Sequence, residues 1–180
     1  VNGRMEFGPR SLGHRSLLAD PRDPDVRQRL NRIVKGREDF RPFAPAVLEE
    51  HASAWFDLAV PSPYMLLVAP VKAEHLVEVE REPESIVDRS LVPRSTIPAC
   101  THIDGSARVQ TVDAERHPAF HRLLSAFERL TGCPVLVNTS FNRAGEPIVC
   151  TAEDALGAAI TGGVDLLVLE DLVVSLRARA

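Results

Sequence analysis

The chain has 180 residues, 44% of them hydrophobic and 26% charged, with 21 Lys and Arg against 25 Asp and Glu for a formal net charge of −4. That is the composition of one globular domain able to bury roughly two-thirds of its unfolded surface, and it excludes a disordered or low-complexity chain; no apolar run approaches the roughly 20 residues of a membrane span. Cys100, Cys133 and Cys150 lack metal-ligand spacing and read as reduced thiols of a cytoplasmic protein without a catalytic role.

The charge is uneven. Residues 1–41 hold 10 Lys and Arg against 6 Asp and Glu, a local excess of +4, which leaves −8 for the remainder. Such a segment is a solvated face or the lining of a site for phosphate-bearing ligands. Its first part, VNGRMEFGPRSLGHRS, has no hydrophobic period but spaces Gly3, Gly8 and Gly13 among Arg4, Arg10 and Arg15. Glycines let backbone approach a ligand and guanidinium forks match oxyanions, so this reads either as an anion cradle or as a basic surface loop.

A helix is predicted from Asp23 as N-cap and Pro24 as first residue, with Val26, Leu30, Ile33 and Val34 on one face, Lys35 near its end and Gly36 as C-cap. Pro42 and Pro45 forbid a helix over the next stretch, so Phe43 to Leu48 reads as a strand with Arg41 just before it. A helix over about 49–56, a strand over 64–71 and a long, acidic, unstructured loop over 73–96 follow. Asp104-Gly105 marks a turn into a strand ending at Val112, with Arg108 on one of its faces. His102 and Asp104 read more readily as a local hydrogen bond than as an acid/base pair.

The clearest helix runs over 117–130, with Phe120, Leu123, Leu124, Phe127 and Leu130 as its apolar stripe, and Gly132 ends it. A buried strand, Pro134 to Val137, then opens into Asn138, Thr139, Ser140 and Asn142, which places four short hydrogen-bonding side chains in five residues beside the end of a strand. Thr151 and Asp154 form an approximate capping box for a helix to about Thr161, and two strands, 164–169 and 172–176, turn at Glu170-Asp171.

Four segments in this order, GRMEFGPRSLGHRS, KGREDFRPFAP, THIDGSARVQTV and VLVNTSFNRAGEPIVCTAEDAL, resemble the C-terminal domain of the O-carbamoyltransferases of nodulation and antibiotic tailoring. The resemblance covers nearly the whole chain; Ser11 and His14 depart from the pattern, which has Ala and Asn there. It implies a single α/β domain of YrdC-like fold, a twisted mixed β-sheet flanked by helices. It also implies that residues 1–180 are part of a longer protein whose N-terminal domain performs the transfer. The implied activity is binding of carbamoyl phosphate and ATP, with Mg accompanying the nucleotide, and formation of carbamoyl adenylate for O-carbamoylation of a small-molecule hydroxyl. Lys35, Arg41, Ser140 and Asn142 correspond to the catalytic set, and Arg10 and Arg108 join them in binding carbamoyl phosphate and ATP. No metal site and no membrane association are expected in this chain. The alternatives are a YrdC-type synthase of threonylcarbamoyl adenylate, which the first and last motifs argue against, and a nucleic-acid-binding module. The latter has little support, because one Tyr and one Trp leave few platforms for stacking bases.

Overall fold

A computed structural model describes residues 1–176, with the backbone alone at residue 33. Val135–Ser140 (β5) lies between Ser16–Ala19 (β1) and Ala44–Leu48 (β2), antiparallel to both. β2 pairs in parallel with Ser106–Val112 (β4), and Leu67–Pro70 (β3) closes the far edge, giving a five-stranded mixed sheet in the order β1-β5-β2-β4-β3. This is the mixed α/β sheet flanked by helices that the resemblance implies.

Alternation along the strands divides the core between two faces. Val47, Val109, Val135 and Val137 pack with Phe56, Ile97 and Val26 on one side. Ala46, Leu48, Val112 and Leu136 pack on the other against Phe120 and Leu124 of the helix Pro118–Thr131 (α4). A third cluster joins Leu17, Val34 and Phe141 to the helix Ala152–Thr161 (α5) and to Leu167 of a separate hairpin, Leu166–Leu169 (β6) and Leu172–Ser175 (β7). Thr151 and Asp154 do form the capping box: Asp154 N–H donates to Thr151 Oγ1, and the Asp154 carboxylate accepts from Thr151 N–H.

Several expectations need correction. β1 had no sequence signal, because four residues are too few to show a period; β5 recruits it through paired backbone groups. β5 also runs three residues beyond Val137, so Asn138, Thr139 and Ser140 belong to the strand and do not lie past its end. The helix over 49–56 is a 3-10 turn followed by a single α-turn, Ala52–Trp55 (α2), and the strand over 64–71 shrinks to β3 after Met65 adopts φ 57°. The long loop carries a short helix, Ile86–Leu91 (α3). In α4, Leu123 and Leu130 of the apolar stripe are exposed. Among the described residues, no helix is long and apolar enough to cross a membrane.

Candidate active site

The first predicted helix determines where the site lies. Pro24 begins it in helical conformation, and the Asp23 carboxylate accepts from Asp25 N–H. After Asp25–Arg29 (α1) the helix widens into a π-helix over Leu30–Lys35, and Gly36 ends it in the left-handed region at φ 52°. Ile33 belongs to this face by sequence, but its side chain lies outside the described residues. The wide turn lets both Gly36 and Arg37 donate their N–H to the Asn31 carbonyl. The Asn31 side chain, fully buried, then ties down the next loop: Nδ2 donates to the carbonyls of Asp39 (3.2 Å) and Arg41 (2.8 Å), and Oδ1 accepts from Arg37 Nε (2.6 Å). One uncharged side chain thus fixes the loop that carries Arg37 and Arg41.

Lys35 turns inward from the end of this helix toward the end of β5. Its ammonium donates to Ser140 Oγ (3.1 Å), Asn142 Oδ1 (2.7 Å), the Asn142 carbonyl (3.2 Å) and the Ser140 carbonyl. Ser140 Oγ in turn donates to Asn142 Oδ1 at 2.7 Å. No carboxylate accompanies this ammonium; burial, with Arg37 adding repulsion, pulls its pKa down to about 8.

These groups line a cavity of about 390 Å³ that also receives Arg10, Arg41 and Arg108, so all six residues singled out in the sequence meet in one place. Arg10 arrives on the loop before β1, Arg41 on the loop pinned by Asn31, and Arg108 from β4. Arg37 and Arg143 line it as well, for six cations in all, and no Asp or Glu is among the lining residues. Glu38 and Glu146 approach Arg41 and Arg143 only from the exposed rim, at 3.8 and 3.7 Å. Burial, and then neighbouring cations, lower the pKa of Arg37 and of Arg108. Arg37 is held over the Phe43 ring, 4.8 Å from its centroid. Neither Arg37 nor Arg143 is among the residues the sequence motifs single out; the KGR spacing that sets Arg37 two residues after Lys35 is the available signal.

The cavity floor has unused hydrogen-bonding capacity. Asn138 Nδ2 donates to Gln110 Oε1 (2.6 Å) and to the Ser11 carbonyl (3.1 Å), while Gln110 Nε2 donates to the Leu12 carbonyl (2.9 Å). Asn138 Oδ1, Ser11 Oγ and Arg108 Nε are buried without a partner among the described residues. These atoms add two acceptors and a donor to the six cations of the hollow.

Arg15 departs from the expected cradle, whereas His102 and Asp104 make local hydrogen bonds as expected. Arg15 is buried, and its guanidinium is spent on the carbonyls of Cys150, Asn2 and Gly3, which holds the N-terminal loop in place; Arg15 and the exposed Arg4 do not line the cavity. His102 Nδ1 pairs with Ser106 Oγ at 3.0 Å, and Asp104 accepts from Ser106 N–H and Oγ, so this cluster closes the turn into β4. Among the described residues, no group of three or more His, Cys, Asp and Glu side chains is placed to hold a metal.

Fold and site together define a class: a mixed α/β domain in which six cations converge on one cavity with no Asp or Glu among the lining residues. More particularly, the chain belongs to the family described as Carbamoyltransferase C-terminus, which matches residues 1–176 and is a family of enzymes. It is 51% identical over 175 residues to an uncharacterized protein of Synechocystis sp., covering 96% of this chain and 28% of that protein. It is 42% identical over 180 residues to nodulation protein NolNO of Sinorhizobium fredii, covering 98% of this chain and 24% of the relative. With the 3'-hydroxymethylcephem-O-carbamoyltransferase of Amycolatopsis lactamdurans it shares 40% identity over 171 residues, 95% of this chain and 29% of that enzyme. The chain therefore spans between about a quarter and three-tenths of the length of these relatives.

Proposed function

We propose that the cavity binds carbamoyl phosphate and ATP and joins them into carbamoyl adenylate, the donor with which another part of a longer protein carbamoylates a small-molecule hydroxyl. The observation that carries this reading is the gathering of Arg10, Lys35, Arg37, Arg41, Arg108 and Arg143 around one hollow without a carboxylate. Family membership supplies the carbamoyl chemistry; the site supplies charge.

The reaction balances without a protein nucleophile. Water attacks the phosphorus of carbamoyl phosphate, releasing phosphate and carbamate. A carbamate oxygen then attacks the α-phosphorus of ATP, and the bond to the β-phosphate breaks to release pyrophosphate. Negative charge builds on phosphoryl oxygens at both steps, and fixed cations with few counter-ions stabilise it without reorganising. Arg10, Arg41 and Arg108 offer forks to phosphate oxygens. Lys35, held by Ser140 and Asn142 on rigid β5 and the segment just after it, is a preset point charge at the inner end. The unpartnered Asn138 Oδ1, Ser11 Oγ and Arg108 Nε give a bound ligand both acceptors and a donor. Mg would arrive on the nucleotide and neutralise part of its phosphate charge. The free thiols of Cys100, Cys133 and Cys150 suit the cytoplasm, where ATP is available.

The test is pyrophosphate release from ATP by the isolated chain with and without carbamoyl phosphate, with mass detection of the adenylate and a parallel reaction containing threonine and bicarbonate. Release that depends on carbamoyl phosphate, with carbamoyl adenylate as product, supports the reading. Threonine-dependent turnover would replace it with the synthase alternative, and absence of nucleotide binding would remove it.

A further inference from the structure

A second cavity lies on the other side of Pro42, and its charge is unexplained. Arg27 of α1 lines it and is only 5% exposed. Burial lowers its pKa, while Cys100 and Asp39 act weakly in the opposite sense. Asp39 is already engaged by Arg32. The Arg27 side chain makes no hydrogen bond or ion pair with any described residue, and its Nε is buried. A guanidinium carries five donors; here the one on Nε is shut away from water unused, and a charge so largely buried without a partner is costly. Its neighbours in the cavity make this sharper, because Phe40, Pro42, Ile86, Val87 and Ile103 offer carbon. Phe40, Ile86, Val87 and Ile103 are also among the exposed large hydrophobic residues of the molecule.

The hollow measures about 440 Å³, within the range of small-molecule sites. Inorganic phosphate is a poor match: beside Arg27, the polar lining residues Ser90, Thr101 and His102 already spend Oγ, Oγ1 and Nδ1 on Val87, on Ser95 and Ile97, and on Ser106, and the rest of the wall is apolar. The surroundings suit a single acidic group attached to a hydrophobic body. We propose that this cavity is a second ligand site, taking an amphiphilic organic anion whose acidic group pairs with Arg27 and whose apolar body lies between α3 and Phe40. The inference is independent of the carbamoyl reading, since Arg27 does not line the cationic cavity.

Two fluorescent probes of nearly the same apolar body test it: anilinonaphthalene sulfonate, which is anionic, and N-phenylnaphthylamine, which is neutral. Titrated into the intact chain, the sulfonate is expected to bind at least about tenfold more tightly than the neutral probe, the range of a charge-assisted hydrogen bond. That preference should disappear in Arg27→Met. Ile86→Glu, an exposed position at which a carboxylate would face Arg27, should abolish sulfonate binding even if Arg27→Met does not fold. Excess ATP should leave the probe bound. Equal affinity for the two probes would reduce the feature to an apolar groove, and displacement by ATP would assign the probe to the cationic cavity. Binding of neither would leave the surface to a protein partner. Each of these three results overturns the proposal.

Discussion

Lys35 makes the proposed site titratable in a range where phosphates are not. Its free ammonium has a pKa of about 8, against 10.5 for an exposed lysine, because it is buried without a carboxylate. A bound polyanion restores the charged form, so the pKa rises on binding; affinity is complete below about 8 and is lost as pH climbs through it. The phosphate chain of ATP has finished ionising below that range, leaving Lys35 as the titrating group. From the two protonated fractions, ATP affinity should fall roughly fifteenfold between about pH 8 and about pH 9.5. At about pH 8.5 binding should take up about 0.7 proton. Isothermal titration calorimetry in buffers of different ionisation enthalpy reads that proton directly, with Lys35→Met as the comparison. The reasoning fails if wild type takes up no proton, or if Lys35→Met takes up as many.

Asn31→Ala should leave the carbonyls of Asp39 and Arg41 and the Arg37 guanidinium without their partner, costing about 1–3 kcal/mol in denaturant-derived stability and weakening ATP although Asn31 does not line the cavity. Arg41→Ala and Arg108→Ala are each expected to weaken ATP or carbamoyl phosphate binding by about 1.5–3 kcal/mol by calorimetry. Arg108→Ala should do so with no loss of melting temperature, since its Nε has no partner to lose. Gly13→Ala places a Cβ 2.5 Å from Phe120 Cδ1 at a φ of +122°, so the loop carrying Arg10 must shift or α4 must yield. A drop of about 1–3 kcal/mol in unfolding free energy, accompanied by weaker ATP binding, is expected, and an unchanged melt would refute that packing.

What was legible in the sequence was chemistry tied to local pattern. Asp23-Pro24 and Lys35-Gly36 bracket a helix by capping alone, the Pro134 to Val137 run announces a buried strand, and Thr151 with Asp154 announces α5. The residues the motifs singled out also meet at one cavity. What escaped were features that only distant partners create. Asn138 and Ser140 look like turn residues because they are short and polar; they are extended because β1 supplies backbone partners more than 100 positions away and because their polarity faces a cavity instead of solvent. The π-helix escaped because an extra residue per turn leaves no mark in a six-residue apolar pattern, and Asn31 escaped because a buried amide that serves three loop groups has no motif of its own. Leu123 and Leu130 show the converse, since a continuous apolar stripe does not reveal how much of it a neighbour covers.

The position of β5 has a bearing on how the chain is made. It separates β1 from β2, although both precede it by about a hundred residues, so a chain emerging from the ribosome carries β1 with no strand partner, and β2 with β4 on one side only, until residue 140 is available. Contacts that distant make for slow folding, and unfilled strand edges are templates for association with other chains. Until β5 inserts, the backbone of β1 and one side of β2 are therefore hazards, and Lys35 has neither Ser140 nor Asn142 to hold it. The same strand completes the sheet and the inner end of the cavity, so ligand binding in a synthesis time-course reports directly on when the domain has closed.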